Sequence, residues 1–504
     1  MAHLNRVLHL VGSQENDFYF NCSLVYAKAC INFSDVKAQY LITRPNQVTV
    51  GESSQGEVSS HNVMTSEWFI VDNSLDEVNE KYFPCRDPEN NISKIGKNSE
   101  NSPLRGPYTL TDALSMLMPL IEIDCIVPHM FCFPGMTIFR KFFEEYLHIS
   151  VAGPDARANA LSQHKGVTRE ILQKAGVPIP CGTMLYRKDL NSEQPESTIL
   201  KIKDQLKEAG ISDLPCILKP AREDNSRGIG VVHDWDTFLT KLQYAFSYDD
   251  TVVVEAYVDG PELRAGALST NKDADGKSNI RHLPSLVNFE LNPTQGIRTA
   301  ADKMSTGNDG SSGMHQNLAM GKKYWHRGCT SPVAASMELT TVNGIITGIL
   351  ERHDDSSADD EPVLVDLQET LSLPASLQVQ IDSAVSLGHK ALGLRDYSLF
   401  DFRVDKKTGA LYVIEACAFW SYSEISVISL MLQKGNSEID LTTADWKSEV
   451  RRSWESVAQR TAVYRRSKYC SKTLLDLQKI NDFFCTAQQD IDHFIANNGD
   501  LEEL

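Results

Sequence analysis

The sequence has no basic surplus and no long apolar run. Its 504 residues carry 49 Lys and Arg against 67 Asp and Glu, a formal charge of −18. That balance argues against a nucleic-acid partner, because too few cations exist to displace counterions from a phosphate backbone. A nucleotide-binding enzyme remains compatible, since a few local lysines and a metal suffice there. The most apolar stretch, Ala113 to Met136, is broken by Glu122, Asp124, His129 and three prolines, so no membrane partner is expected. Eleven scattered cysteines contain no CxxC pair, which leaves neither a zinc motif nor a disulfide framework. The opening Met1-Ala2-His3-Leu4-Asn5 lacks the basic-then-apolar run of a secretion signal, and a cytoplasmic location is expected. Also lacking are a GxxxxGK[ST] phosphate loop, a useful repeat, and a Ser-His-Asp or Cys-His constellation.

What is present is ordinary globular material: 41% hydrophobic and 23% charged, enough chain for about three structural units. Arg6 to Val11 (RVLHLV) reads as a strand leading through Gly12-Ser13 into a helix that reaches Ile31. Ile123 to Val127 is a second strand, and Thr137 to Leu147 is helix-like. Such alternation predicts an α/β layer with a partly parallel sheet. Cys85 to Pro107, rich in Pro, Asn and Ser, reads as an exposed insertion. Ala158 to Ala175 has helical spacing, stopped by Gly176, Pro178 and Pro180. Strands are expected at Cys216–Lys219, Thr251–Val258, Ser398–Val404 and Ala410–Cys417. Asn292 to Gln316 reads as a polar loop, and Asp354 to Glu361 as an acidic turn. Beyond Leu441 the pattern is helical, with Leu474, Leu475, Leu477, Ile480, Phe483 and Phe484 on one face.

The segment Tyr397 to Trp420 (YSLFDFRVDKKTGALYVIEACAFW) carries the most physics. Two apolar strands flank Lys407-Thr408-Gly409, and a three-residue turn ending in glycine predicts a hairpin with Lys406 opposite Ala410. In that register Asp401 faces Glu415, Leu399 faces Cys417 and Arg403 faces Val413, all on one face of the sheet. Two carboxylates directly opposed repel one another. A proton, a cation or a metal must compensate, and hard carboxylate oxygens suit Mg²⁺, which also takes phosphate oxygens. A solvated face with both acids in water is the weaker alternative for so apolar a hairpin.

Leu214 to Val232 (LPCILKPAREDNSRGIGVV) poses a related question. Lys219 closes an apolar strand, and the turn after it, Arg222 to Gly228, holds Asn225, Ser226 and glycine in a polar setting. Such a turn can bring backbone N–H groups to an anion while the lysine supplies charge. A lysine that merely ends a strand in water is the competing reading.

Taken in order, these segments resemble the ATP-grasp superfamily, and within it the D-alanine–D-alanine ligase-like branch, from Arg6 to about Leu432. The resemblance implies an α/β (α+β) fold with an N-terminal α/β domain at 1–152, two ATP-clamping α+β subdomains at 153–248 and 249–437, and a helical extension at 438–504. ANALSQHKGVTREILQKAGVPIP resembles the family's central helix and implies an ATP-phosphate lysine at Lys165, with Lys219 as the second; Asn225 and Ser226 fall in the phosphate-covering loop. VVVEAYVDGPELRAG is similar to the adenine hinge, which implies that Glu255 and the backbone near Val258 meet the base and Glu262 the ribose. FDFRV…YVIEAC resembles the metal hairpin, implying Asp401 and Glu415 as ligands, with Cys417 at the position of the usual asparagine.

The resemblance further implies Glu15 as the acid that holds a substrate amino group, although a plain loop acid fits equally well. Lys303 resembles the lysine of the loop over the reacting centre. Ser426 matches a serine that holds the acceptor carboxylate, and Ser421 lies nearby in the altered turn Phe419 to Ser423 (FWSYS). His129 resembles a substrate-side histidine, but a packed or capping role is favoured. The usual arginine two residues before the metal Asp is Leu399 here, and Arg403 is the candidate to bear that charge instead. A soft Cys417 suits Mg²⁺ poorly.

The implied activity is an ATP- and Mg²⁺- (or Mn²⁺-) dependent joining of a small-molecule carboxylate to an amine through an acyl phosphate. The altered turn argues against D-alanyl-D-alanine as product. It implies an acceptor pocket shaped by Trp420 and Tyr422, closer to ligases of natural-product pathways such as those acting on mycosporine-glycine. An ATP-binding sensor without turnover, or a small-molecule kinase, are the rival readings. The tail could pack on the catalytic domain or make a homodimer.

Overall fold

The computed structural model describes residues 4–44, 66–76, 78, 103–117, 119–190, 195–224, 226–270, 279–288, 335–342, 345–352, 375–424, 426–438, 446–468 and 477–497. The expected loop at Asn292 to Gln316, the acidic turn at Asp354 to Glu361 and most of the expected insertion at Cys85 to Pro107 lie outside them. The chain forms two compact units: Met1–Ala156 with Ser421–Glu424 and Trp446–Phe494, and Arg157–Trp420 with Ile425–Asp445 and Ile495–Leu504.

The first unit is built on strands β1 (Arg6–Gly12), β2 (Lys37–Arg44), β3 (Glu67–Asp72), β4 (Arg105–Tyr108) and β5 (Cys125–Pro128), in the order β4-β3-β2-β1-β5. Strand β1 runs parallel to both β2 and β5, while β3 and β4 are antiparallel additions at one edge. Its place inside the sheet and its burial explain its nearly unbroken apolar run, since a strand covered on both faces has no solvent side to make polar. Strand β4 was read as part of the exposed insertion; it forms because Tyr108 and Arg105 find register partners in Trp68 and Ile70.

The tail helix Trp446–Lys468 and all but the last turn of Leu477–Ala496 belong to this unit, and not to the second one as sequence allowed. Ile480 and Phe484 are buried, with Phe484 stacked on Phe142 at 4.8 Å between ring centroids. Leu477, expected on the packed face, is exposed. Thr461 Oγ1 accepts the Ser150 N–H at 3.0 Å, which ties the first tail helix to the chain beyond the helical turns at 138–146.

In the second unit, strands β6 (Gly182–Tyr186), β7 (Cys216–Pro220), β8 (Gly230–Val232) and β9 (Thr251–Ala256) form an antiparallel sheet in the order β6-β9-β7-β8. The helices Pro195–Glu208 and Phe238–Phe246 cover it through Ile202, Leu206, Phe238, Leu242 and Phe246. A second antiparallel sheet joins β10 (Glu262–Thr270), β11 (Asn279–His282), β12 (Leu286–Asn288), β15 (Tyr397–Val404) and β16 (Leu411–Cys417), with β10 between β15 and the β11 and β12 segments. Strands β13 (Ala335–Val342) and β14 (Ile345–Arg352) pair only with each other among the described residues. The helix Ala375–Ala391 packs on the second sheet, burying Ile381, Ala384 and Val385.

Ala158 to Ala175, expected as one helix, is two. Ala156–Gln163 ends, His164 adopts an extended conformation (φ −97°, ψ 93°), and Lys165–Lys174 begins anew. The His164 Nδ1 accepts the Val167 N–H at 3.3 Å and so caps the second helix, a role that Ser, Thr, Asp or Asn more often fill. The break sets Lys165 at a helix start, where its backbone N–H donates to the Ala221 carbonyl at 2.8 Å.

The hairpin also departs from expectation. Asp405 N–H donates to the Ala410 carbonyl at 2.9 Å and Gly409 N–H to the Asp405 carbonyl at 2.7 Å, so the loop is one residue longer than three, with Gly409 at φ 72°. Val404 therefore faces Leu411, and Arg403 faces Tyr412 and not Val413. Ile414 is then an extra residue, a β-bulge opposite the Asp401/Phe402 step. The bulge offsets the longer turn, and beyond it Asp401 pairs with Glu415 and Leu399 with Cys417 as anticipated.

Gly260 and His164 give two tests of this architecture. A Cβ at Gly260 would lie against the Val404 carbonyl oxygen, in a segment docked by Val404 N–H to Pro261 O (3.1 Å) and Lys406 N–H to Asp259 O (2.9 Å). Gly260→Ala is expected to destabilise by ~2 kcal/mol, read as a lowered urea midpoint at unchanged slope. Burial, reinforced by the charges of Arg222 and Lys165, lowers the His164 pKa from 6.5 to about 4. Below its ordinary value the unfolded chain takes up a proton that the folded chain refuses until about pH 4. Stability from this group is therefore complete above pH 6.5, falls as the pH drops to about 4, and amounts to ~3 kcal/mol. His164→Asn keeps a capping side chain without that proton, so its melting temperature should fall less steeply across the same window.

Candidate functional site

Lys219 is not a solvated strand end: it is 7% exposed. Its Nζ lies 2.6 Å from Glu255 Oε2 and donates to the Ile414 carbonyl at 3.1 Å. That carbonyl belongs to the bulge residue of β16, so the register irregularity points a backbone acceptor at the ammonium group. Strand pairing explains the Glu255 contact, because β7 and β9 are neighbours with Lys219 opposite Val253 and Ile217 opposite Glu255. Arg169, four residues after Lys165 on its helix, holds the other Glu255 oxygen at 3.2 Å and also donates to the Pro180 carbonyl at 2.6 Å. A buried carboxylate between two cations is costly to break from either side.

Lys165 Nζ lies 3.0 Å from Glu415 Oε1 and donates to the Glu223 carbonyl at 2.6 Å. Burial alone would lower its pKa, but Glu415 and Asp224, with Glu223, outweigh that and raise it. Glu223 belongs to the turn after Lys219, which is thus anchored rather than idle. Arg227 pairs with Glu223 at 3.1 Å and lies over the Tyr248 ring, and the Arg222 N–H donates to Asp249 Oδ2 at 2.8 Å. Gly228 sits at φ 70°, and a Cβ there would meet Pro220 Cγ at 2.6 Å and Tyr248 Cδ2 at 2.7 Å.

Asp401 and Glu415 are direct cross-strand partners, and each has a cation: Lys165 for Glu415, and Arg264 Nε at 3.3 Å for Asp401. Arg264 comes from β10, where it stands opposite Asp401 in register. Its Nη2 is also 3.8 Å from Glu262, which in turn lies 3.8 Å from Arg403 Nη2. Arg403 donates through Nη1 to the Val258 carbonyl at 2.9 Å and stacks over Tyr257. Its charge is thus engaged at the hinge. Because it pairs with Glu262 across the strands, it stands two residues from the Asp401 step, roughly 7 Å along the strand. Arg403 lines the same cleft as the acids, with Arg264 the nearer guanidinium to Asp401.

An open cleft of about 720 Å³ gathers these groups. Lys165, Lys219, Ser226, Glu255, Val258, Glu262, Asp401, Arg403 and Glu415 line it, with Arg264 and Tyr257 added by the fold. Sequence reading missed Arg264 and Arg169. The ELR step at 262–264 puts Glu262 and Arg264 on one face by strand alternation, and that was the available signal.

Other candidates lie elsewhere or outside the described residues. Lys303 and Asn225 are outside them. Cys417 does not line the cleft; burial, with Asp224, Asp401 and Glu415 nearby, pushes its thiol up to about 12, so it stays protonated at neutral pH. A neutral thiol is a poor partner for a hard cation. Ser426 Oγ accepts the Trp420 Nε1–H at 2.9 Å and donates to Ser429 at 2.8 Å. Trp420 is buried and edge-on to Tyr397, which makes it core and not a pocket wall.

Glu15 and Ser421 belong to the first unit, where Ser421 and Ser423 hydroxyls are 3.0 Å apart and Tyr422 is fully buried against Trp454. Expected as walls of an acceptor pocket, Trp420 and Tyr422 are instead each buried in the core of their own unit. His129, also in the first unit, is buried with its Nε2 2.9 Å from His9 Nδ1. Burial lowers both imidazole pKa values, His9 to about 3, so both rings are neutral and one donates its N–H to the bare nitrogen of the other. Cys30 brings its sulfur within 4.8 Å of that pair.

Residues 171–294 match a family model described as D-ala D-ala ligase C-terminus. D-alanine–D-alanine ligase of Corynebacterium jeikeium is 31% identical over 149 residues, 30% of this chain and 35% of that protein. The Thermoanaerobacter enzyme is 26% identical over 188 residues, 37% of this chain and 49% of that one. The chain thus spans between a third and a half of the length of these curated relatives. Among solved structures, the VanG D-Ala:D-Ser ligase of Enterococcus faecalis superposes with a TM-score of 0.53 at 15% identity, over 91% of this chain and 100% of the other. D-alanine–D-alanine ligase of Coxiella burnetii gives 0.52 at 13% identity, over 92% and 98%. Fold and sequence match agree: residues 171–294 are similar to the C-terminal part of D-alanine–D-alanine ligases, and the chain shares the ATP-grasp fold of those enzymes.

Proposed function

We propose that the protein is an ATP-dependent carboxylate–amine ligase working through an acyl phosphate. The observation that carries this reading is the opposed Asp401–Glu415 pair, set in one cleft with Lys165 and Lys219. The donor set fits a divalent cation: two hard carboxylates on one strand pair, with ion pairs to side chains at 3.0 Å for Glu415 and 3.3 Å for Asp401. Bound there, Mg²⁺ or Mn²⁺ would supply Lewis-acid neutralisation of phosphate oxygens. Cys417, a protonated thiol outside the cleft, is left out of that set.

In this reading Lys165 and Lys219 carry the triphosphate charge, the turn containing Ser226 covers it, the hinge backbone around Val258 meets the adenine, and Glu262 meets the ribose. Glu255 acts through Lys219, which it holds at 2.6 Å, more than on the base itself. A substrate carboxylate oxygen attacks the γ-phosphorus; the bond from phosphorus to the β–γ bridging oxygen breaks and ADP leaves with the electron pair. An amine then attacks the acyl carbon, phosphate leaves, and the amine proton passes to solvent. No enzyme nucleophile is required, and positioning with charge stabilisation does the work. Lys303 would shield the intermediate, and Glu15, Ser421 and Ser426 would serve the substrates.

The substrates are proposed as amino-acid-like, including natural-product acceptors of mycosporine type; the relatives named above are D-alanine ligases, and the turn at 419–423 differs from theirs by the resemblance already described. The protonated Cys417 beside the acids favours one alternative, a nucleotide-binding sensor without turnover.

Incubation with Mg-ATP and pooled amino acids should release ADP together with a new amide mass. Asp401→Asn and Lys219→Ala should each lower that release by about 10²-fold or more. Equal ADP release by both variants and the unaltered protein would sink the assignment. Tight ATP binding with no ADP at all would favour the sensor, and a stable phosphorylated product without an amide would favour a kinase.

A further inference from the structure

Among the described residues, two arginines line the cleft beside its acids, and they are held differently. Arg403 is committed, with a 2.9 Å bond to a hinge carbonyl and an aromatic ring beneath it. Arg264 faces the acids themselves, with its Nε 3.3 Å from Asp401 Oδ1 and its Nη2 3.8 Å from Glu262 Oε1. Its side chain is 18% exposed against 5% for Arg403. It stands directly opposite Asp401 on the adjoining strand, while the residue two before Asp401, Leu399, is buried and apolar.

The cleft acids Glu255, Glu262, Asp401 and Glu415 are matched by the cleft cations Lys165, Lys219, Arg264 and Arg403. A triphosphate brings further negative charge to the Asp401 side, where Arg264 is the cation already in place. A guanidinium offers five N–H donors in a planar fork, which suits phosphoryl oxygens better than a point charge does.

We infer that Arg264 is a catalytic residue that bears the charge of the transferring phosphoryl group, reaching the centre from the neighbouring strand β10 and not from the strand that carries Asp401. This rests on the ligase reading above. During transfer the carboxylate oxygen forms its bond to phosphorus as the bond to ADP breaks. Arg264 neither gains nor loses a proton. It shifts from Asp401 towards the equatorial phosphoryl oxygens, where its donors stabilise charge present only in the transition state.

The test needs no knowledge of the amine. Purified protein is titrated with ADP and Mg²⁺, with and without aluminium fluoride, which mimics the phosphoryl group in flight. Aluminium fluoride should tighten ADP binding by about 10²-fold in the unaltered protein, should add less than about threefold in Arg264→Gln, and should act in part in Arg264→Lys, which keeps charge but loses the fork. The tightening is read as the ratio of ADP affinities with and without aluminium fluoride within each protein, so a loss of ground-state binding common to both conditions, which a merely structural role for Arg264 would cause, cancels. Equal tightening in Arg264→Gln, or none in the unaltered protein, overturns the inference. Failure of the unaltered protein to bind ADP at all overturns instead the ligase reading on which it stands. Should Arg264→Gln not fold, judged by its melting transition, Arg264→Lys decides alone: full tightening overturns the inference and partial tightening supports it.

Discussion

Two carboxylates held face to face on neighbouring strands are the constraint on which the second unit depends. Asp401 and Glu415 are register partners, and cross-strand acids repel unless something positive stands between or beside them. The fold answers by bringing cations from two different directions. Lys165 arrives from a helix start and Arg264 from strand β10. Neither is near Asp401 or Glu415 in sequence, and neither would be needed if those acids faced bulk water.

The same logic extends outward through the cleft. Glu255 lies between Lys219 and Arg169, and Glu262 between Arg264 and Arg403. Opposite charges alternate, and each group is partly desolvated. Such a network stabilises little in net terms, because burial costs offset much of the attraction. Its consequence is positional: side chains locked in pairs hold donors and acceptors in place before a ligand arrives, which is the arrangement that electrostatic catalysis requires. The bulge at Ile414 joins this network through its carbonyl to Lys219, so a backbone irregularity and an ion-pair system fix one another.

The first unit has a different character. Its polar interior residues, such as His9 and His129, are buried and neutral, and aromatic contacts dominate around them, with Tyr40 stacked on His9 and Trp454 edge-on. The tail helices add Phe484 and Trp454 to this core. A long tail that packs on the N-terminal sheet makes stability of that unit depend on residues more than three hundred positions away, as the Ser150–Thr461 bond illustrates.

Much of this was legible in the amino-acid sequence. Period-two alternation and the glycine of the turn were enough to oppose Asp401 to Glu415, and an apolar strand ending in Lys219 before a polar turn was enough to single out a lysine that lines the cleft. Where the chain's own local rules suffice, in strand alternation, helix stops and turn chemistry, reading along the sequence succeeds. It failed where distant segments meet. The turn is one residue longer than expected and the bulge restores the register; two local shifts cancelled, and only the paired strands could reveal it. That Arg264 and not Arg403 stands beside Asp401, that His164 splits a helix, that Trp420 packs into the core and that the tail covers the N-terminal sheet were decided by tertiary packing. Charge partners are chosen by proximity in space, and the sequence sets which residues carry charge but not which of them come within a few ångströms of one another.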